Sequence, residues 1–91
     1  MDKTGMMAEA TRVVEHLGNN QLVQAKSITD KLTQFVIVTI KKDSGDDASK
    51  TELHPLWPLY ILLIRIKNAI MAGDRKVAAD LSGALLSEVK K

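Results

Sequence analysis

The sequence has 91 residues, a formal net charge of +2, 45% hydrophobic and 26% charged residues, and no cysteine. This length indicates one domain of modest stability, and the composition excludes a chain that is disordered throughout. The lack of cysteine excludes disulfides and thiolate metal sites and favours an intracellular protein, cytoplasmic or nuclear.

The first 41 residues predict two amphipathic helices joined by a tight turn. Apolar residues recur at spacings of three and four from Met6 to Leu17, and again from Leu22 to Ile40. Thr4 is the expected N-cap of the first helix, and residues 18–20 (Gly-Asn-Asn) favour a helix stop because Gly and Asn accept the left-handed conformation. We therefore predict a first antiparallel helical hairpin over about residues 5–41.

The end of this hairpin is ambiguous, because residues 35–40 (Phe-Val-Ile-Val-Thr-Ile) are almost all β-branched or aromatic. Such residues favour strands, since a helix restricts their χ1 torsion. A lone strand would have to pair across a dimer, and no second strand-like segment is present. We favour helix for these residues and keep strand as the alternative.

Residues 42–52 predict a flexible, solvated loop, because they are rich in Asp, Ser and Gly and have no hydrophobic periodicity. The carboxylates in and beside the loop suggest a calcium-binding loop as one alternative. The calcium-loop pattern requires Gly at the sixth position and Glu at the twelfth. Counted from Asp43, Gly45 is third and Glu52 is tenth. We expect no metal site.

Residues 55–90 predict a second helical hairpin. Pro55 and Pro58 suit the start of a helix, and the nearly continuous apolar pattern of 59–72 predicts a helix buried on most of its faces. The longest apolar run, 56–64, is far shorter than the about 20 residues of a membrane span. Gly73 and Asp74 form the turn, and Asp74 is the expected N-cap of the last helix. The fold prediction is therefore all-α, a four-helix arrangement of two antiparallel helical hairpins in one domain, 1–91.

The two predicted hairpins resemble each other at a displacement of 53 residues. The run Ala72-Gly-Asp-Arg-Lys-Val-Ala78, with Leu81 and Leu85, resembles the second half of a tetratricopeptide hairpin. The run 20–25 with Ile28 and Leu32 is similar, but it has Asn in place of Gly. The interval departs from the about 34 residues of that repeat, and its early Trp, Leu-Gly and Tyr pattern is missing. The chain is also loosely similar to the helical C-terminal domain shared by a COPII outer-coat subunit and the steroid receptor RNA activator protein. Both resemblances imply a helical-hairpin interaction domain.

Residues 53–60 (Leu-His-Pro-Leu-Trp-Pro-Leu-Tyr) are the most informative stretch for function. Trp and Tyr anchor many protein interfaces, because each combines a large apolar area with a polar tip. The alternative is that both rings complete a core that has only three aromatic residues. Arg65 interrupts the apolar helix and could pair with an acidic partner or extend to solvent. The predicted partner-binding residues are His54, Trp57, Tyr60 and Arg65.

No catalytic pattern is present, so we expect no enzyme and no cofactor. His16 and His54 are far apart in the sequence, and no serine has a nucleophile-elbow context. The predicted function is a non-catalytic protein–protein interaction or assembly module that binds a helix or peptide segment of another protein. Formation of a homodimer is a natural outcome if the apolar helix remains uncovered. The alternative is a small basic nucleic-acid-binding or regulatory protein that uses its scattered basic residues, namely Lys41, Lys42, Lys50, Arg75, Lys76, Lys90 and Lys91.

Overall fold

The computed structural model describes residues 1–91 and contains five α-helices and no strand. The all-α prediction is confirmed. The count differs from the four predicted helices, because residues 42–52 contain helical structure of their own. The helices are α1 (Lys3–Gly18), α2 (Leu22–Ser44), α3 (Ala48–Leu53), α4 (Trp57–Met71) and α5 (Arg75–Lys90).

Aspartate side chains cap the starts of α1 and α5. Asp2, not the predicted Thr4, is the N-cap of α1, and its Oδ1 accepts a hydrogen bond from the Gly5 amide at 2.8 Å. Thr4 lies inside the first turn. The predicted cap at Asp74 is confirmed, since its Oδ1 accepts from the Val77 amide at 3.2 Å. Both carboxylates bond amides that have no partner within the helix, which is the usual function of an N-cap.

The β-branched segment 35–40 is helical and belongs to α2. Thr39 donates its hydroxyl to the Phe35 carbonyl at 2.9 Å, and Thr33 and Thr29 make the same bond to the carbonyl four residues earlier. Val36 and Ile40 are fully buried. Packing of this apolar face offsets the low helix propensity of β-branched residues, so the helix interpretation is confirmed.

The predicted loop over 42–52 is shorter in the structure. Helix α2 continues to Ser44, and Gly45 then takes a φ of 61°, which a residue without a Cβ adopts easily. Asp47 starts α3, because its Oδ1 accepts from the Ser49 amide at 2.9 Å and the Lys50 amide at 3.3 Å. Helix α3 contributes no buried residue, so it lies on the surface of the core.

The four long helices share one core. Helix α1 packs against α2 and α5, and α4 packs against the same two helices. Leu, Ile, Val and Ala build the buried cluster, as the scarcity of aromatic residues requires. Its members are Ala10, Val13, Leu17, Ala25, Ile28, Leu32, Val36, Ile40, Leu59, Leu63, Ile66, Ala69, Ile70, Ala78, Leu85 and Val89.

Helix α4 is buried on one side only, whereas its apolar sequence predicts burial on most faces. Its buried residues are Leu59, Leu63, Ile66, Ala69 and Ile70. The opposite side is also apolar but only partly covered, and Met71 is 68% exposed. The difference arises because α2 and α5 pack against the inner side of α4, whereas its outer side is only partly covered.

Candidate interaction surface

Trp57 and Tyr60 form a stacked pair at the start of α4. Their ring centroids are 5.3 Å apart and their planes are inclined by 30°. Helical geometry brings them together, because residues three apart lie on the same side of a helix. Both are half-buried and pack against the core cluster. One part of each ring therefore packs against the core and the other part remains accessible to a partner, so the core and interface interpretations each hold in part.

The polar tips of this aromatic pair reach solvent. The only buried side-chain nitrogen or oxygen without a hydrogen-bond partner is Glu9 Oε2. Trp57 Nε1 and the Tyr60 hydroxyl make no side-chain hydrogen bond within the chain, so they are not among the buried atoms. An apolar ring backed by the core, with a polar tip in water, is the arrangement that suits an interface residue.

A groove with a volume of about 470 Å³ lies beside Trp57. It is formed where the end of α2, the turn at Gly45, helix α3 and the start of α4 meet. We call it the α3 groove. Its apolar contribution comes from Ile37, Ala48 and Trp57, and its charged side chains are Lys41, Asp46 and Glu52. Gly45 and Thr51 complete the lining.

His54 links the elements around the α3 groove. Its Nε2 lies 2.7 Å from Asp43 Oδ2 at the end of α2, and its Nδ1 accepts from the Leu56 amide at 3.0 Å. With Nδ1 as the acceptor, Nε2 carries the proton and donates to Asp43. The side chain is only 11% exposed. His54, a predicted partner-binding residue, lies near Trp57, and both of its ring nitrogens form hydrogen bonds within the chain.

Arg65 lies on α4, exposed, with no carboxylate within ion-pairing distance. Lys67, two residues later, reaches Asp30 Oδ1 at 3.7 Å, and Asp30 Oδ2 also binds Lys26 Nζ at 2.9 Å. This network ties α4 to α2. The structure thus brings His54, Trp57 and Tyr60 together at one end of α4 and places Arg65 apart from them.

Sequence reasoning missed two features of this surface. The first is helix α3, which lines the groove. The Asp- and Ser-rich residues at its start are as typical of a loop as of a helix cap. Asp47 followed by Ala48 could have indicated a helix start. The second is the outward row of apolar residues on α4. Periodicity could not separate the inner from the outer side, because both sides are apolar.

No cluster of three or more His, Asp or Glu side chains has the geometry to hold a metal ion. None of the five helices combines the length and the apolar character required to cross a bilayer.

No protein-family model matches the chain, and comparisons with curated proteins and with solved structures find no match.

Proposed function

We propose that this chain is a non-catalytic protein-interaction module, an adaptor or scaffold that holds a helix or an extended segment of another protein. The partner segment contacts the aromatic pair and the α3 groove. The observation that carries the proposal is the stacked pair of Trp57 and Tyr60, both half-buried, together with the open groove that Trp57 lines. Truncation of Trp or Tyr at the centre of an interface often costs about 2 kcal/mol or more.

The proposed arrangement behind this surface is two antiparallel helical hairpins, α1 with α2 and α4 with α5. Three residues join the helices of each pair, Asn19–Gln21 in the first and Ala72–Asp74 in the second, and both pairs are in contact. So short a connection between contacting helices supports an antiparallel pair. The α3 segment then spans from the first hairpin to the second at the edge that forms the groove.

The side chains near the groove support binding in preference to catalysis. His54 uses Nδ1 to accept from the Leu56 amide and Nε2 to contact Asp43. The Thr51 hydroxyl donates to the Asp47 carbonyl at 3.1 Å. A general base or a nucleophile must have its reactive atom directed at a substrate, and these atoms are directed at the protein itself. The lack of cysteine favours a partner in the cytoplasm or nucleus.

The test is a pull-down from source-cell lysate with the tagged chain, at low and high salt and with and without nuclease. Trp57→Ala and Tyr60→Ala are compared with Val23→Ala, which alters an exposed residue at the far end of α2. We expect one protein to be recovered in every condition, lost with the aromatic variants and kept with Val23→Ala. Circular dichroism must show that all variants remain helical.

The binding constant of the recovered partner then measures the role of Trp57. We expect Trp57→Ala to raise Kd about 30-fold, equivalent to about 2 kcal/mol. If Trp57→Ala and Tyr60→Ala both unfold the chain, the rings belong to the core and the proposal fails. Recovery of nucleic acid that is lost with salt or nuclease would favour the alternative function, because phosphate contacts by lysine and arginine weaken steeply with salt.

A further inference from the structure

The outer side of α4 carries a row of residues at alternating spacings of four and three. We define this row, the α4 stripe, as Trp57, Ile61, Ile64, Asn68 and Met71. A 4-3-4-3 spacing is that of the a and d positions of a coiled-coil heptad, which face a partner helix. Four of the five residues are apolar. A single Asn at such a position is known to fix the register of paired helices.

The α4 stripe is only partly covered by the rest of the chain. Helix α4 packs against α2, α3 and α5, and these neighbours leave Trp57, Ile61 and Ile64 partly exposed and Met71 68% exposed. Isolated exposed apolar residues are ordinary on a protein surface, but a row that runs the length of a helix is typical of an interface.

We propose that the α4 stripe packs against the α4 stripe of a second copy, antiparallel, about a two-fold axis that passes between Ile61 and Ile64. This inference goes beyond the proposed function and concerns the outer side of α4, which shares only Trp57 with the aromatic pair and the α3 groove. In this register each Ile61 faces Ile64 of the second copy, and each Trp57 faces Asn68 of the second copy. Four of the five stripe residues therefore pair with one another across the axis, as a two-fold interface requires, and Met71 lies beyond the start of α4 in the second copy.

The polar groups in this register are complementary. Trp57 Nε1 has no hydrogen-bond partner within the chain and carries only a donor hydrogen. The Asn68 side chain is exposed and offers a carbonyl oxygen as acceptor. In this register Trp57 Nε1 can donate to the Asn68 oxygen of the second copy. Both groups then keep a hydrogen-bond partner when the interface removes them from water, so their burial costs little free energy.

Charge at the two ends of α4 favours the antiparallel orientation. Beside the start of α4, the α3 groove carries Lys41, Asp46 and Glu52, and neither carboxylate has an ion-pair partner. After the end of α4 come Arg75 and Lys76, also without ion pairs, beside the capping Asp74. An antiparallel pair brings the unpaired Asp46 and Glu52 of one copy towards Arg75 and Lys76 of the other, whereas a parallel pair keeps them at opposite ends.

The test of self-association is sedimentation velocity on the full chain over a range of concentrations. We expect a dimer that dissociates at least tenfold more readily in Ile64→Asp, because each two-fold interface would then hold two buried carboxylates. Val23→Asp introduces the same charge at an exposed position of α2 and should leave the dimer intact. A wild-type chain that remains a monomer at high concentration, or a dimer insensitive to Ile64→Asp, overturns the proposal.

A second variant is available if Ile64→Asp fails to fold. The double substitution Asn68→Glu with Met71→Glu alters two residues that are exposed in the single chain, so folding should persist while the interface gains four like charges. We expect this variant to be monomeric with an unchanged helical signal. A dimer that survives both glutamates overturns the proposal.

Disulfide trapping tests the orientation, and the chain has no native cysteine to interfere. In the antiparallel register, Ile64→Cys lies close to the axis and should form an intermolecular disulfide. Asn68→Cys should not, since the two copies of residue 68 are separated by about 16 Å along the helix axis at about 1.5 Å of rise per residue. Rapid trapping through Asn68→Cys overturns the antiparallel register.

The two proposals fail in different ways. If the chain is monomeric in solution and a different protein is recovered only with intact Trp57 and Tyr60, the second copy is not the partner and the proposed function stands. If the chain is monomeric and no protein depends on these residues, both proposals fail.

Discussion

His54 shows how one side chain can join three elements of this protein. It follows α3, contacts Asp43 at the end of α2 through Nε2, and accepts the Leu56 amide just before α4 through Nδ1. The Leu56 amide lies at the start of a helix, where backbone donors have no helical acceptor. A neutral imidazole is one of the few side chains that can accept at one atom and donate at another in this way.

We therefore expect His54→Ala to lower the free energy of unfolding by about 1–2 kcal/mol, because the loss leaves the Leu56 amide and the Asp43 carboxylate without this partner. Urea denaturation followed by circular dichroism measures the change. His16→Ala is the matched control, since the His16 ring makes a single hydrogen bond, between Nδ1 and Gln21 Oε1 at 2.7 Å, near the surface. Equal destabilisation by the two variants would show that the bridge at His54 contributes nothing specific.

Asp74 is a second residue whose role is local. Its carboxylate accepts from the Val77 amide, and loss of an N-cap typically costs about 1 kcal/mol. We expect Asp74→Ala to lower the free energy of unfolding by that amount. Asp80→Ala, at an exposed position inside α5, removes the same charge without removing a cap. Thermal and urea unfolding of both variants should separate them, and identical midpoints would contradict the capping role.

At the scale of the element, α2 shows why local propensity and final structure can disagree. Residues 35–40 favour a strand when considered alone, yet Val36 and Ile40 continue the helical spacing set by Ala25, Ile28 and Leu32. Burial of this face against α1 and α4 outweighs a preference worth a few tenths of a kcal/mol per residue. Periodicity over the whole helix is thus the more informative signal, because it reports on packing.

The valines of α2 test this explanation directly. Val36 is 1% exposed, and Val38 is 53% exposed on the same helix. We expect Val36→Ala to destabilise by about 2 kcal/mol through lost burial and the cavity it leaves. Val38→Ala should be neutral or stabilising by a few tenths of a kcal/mol, since Ala is the better helix former. Chemical denaturation of the pair checks the prediction, and a destabilising Val38→Ala would mean that helix propensity does not govern this position.

The sequence could predict the helices and most of the core, because spacings of three and four mark the buried face of each long helix. It could not predict α3, where Asp47 and its neighbours are as typical of a loop as of a cap. It also could not assign an outer side to α4, since Ile61 and Ile64 are as apolar as Leu63 and Ile66. Trp57 and Tyr60 could be selected as candidate site residues from the sequence. The groove beside them could not be predicted, because it depends on α3.

At the scale of the whole molecule, the core and the candidate surface differ in how firmly they are held. The buried cluster draws on α1, α2, α4 and α5, whereas α3 contributes no buried residue. Few buried contacts and exposed backbone hydrogen bonds are the properties of segments that open locally without global unfolding. We therefore expect α2 and α4 to form a stable side of the α3 groove, and α3 to form a side that opens locally.

Native-state hydrogen exchange should resolve these two sides. We expect amides of α3 to exchange through local opening, at least about a hundredfold faster than amides in the middle of α2 and α4, a gap of about 2.8 kcal/mol. Low concentrations of urea should accelerate the core amides and leave the α3 amides nearly unchanged, because local opening exposes little surface. If α3 exchanges at the same rate as the core and with the same urea dependence, the chain opens as one unit. The α3 groove would then be a rigid site, formed before any partner arrives.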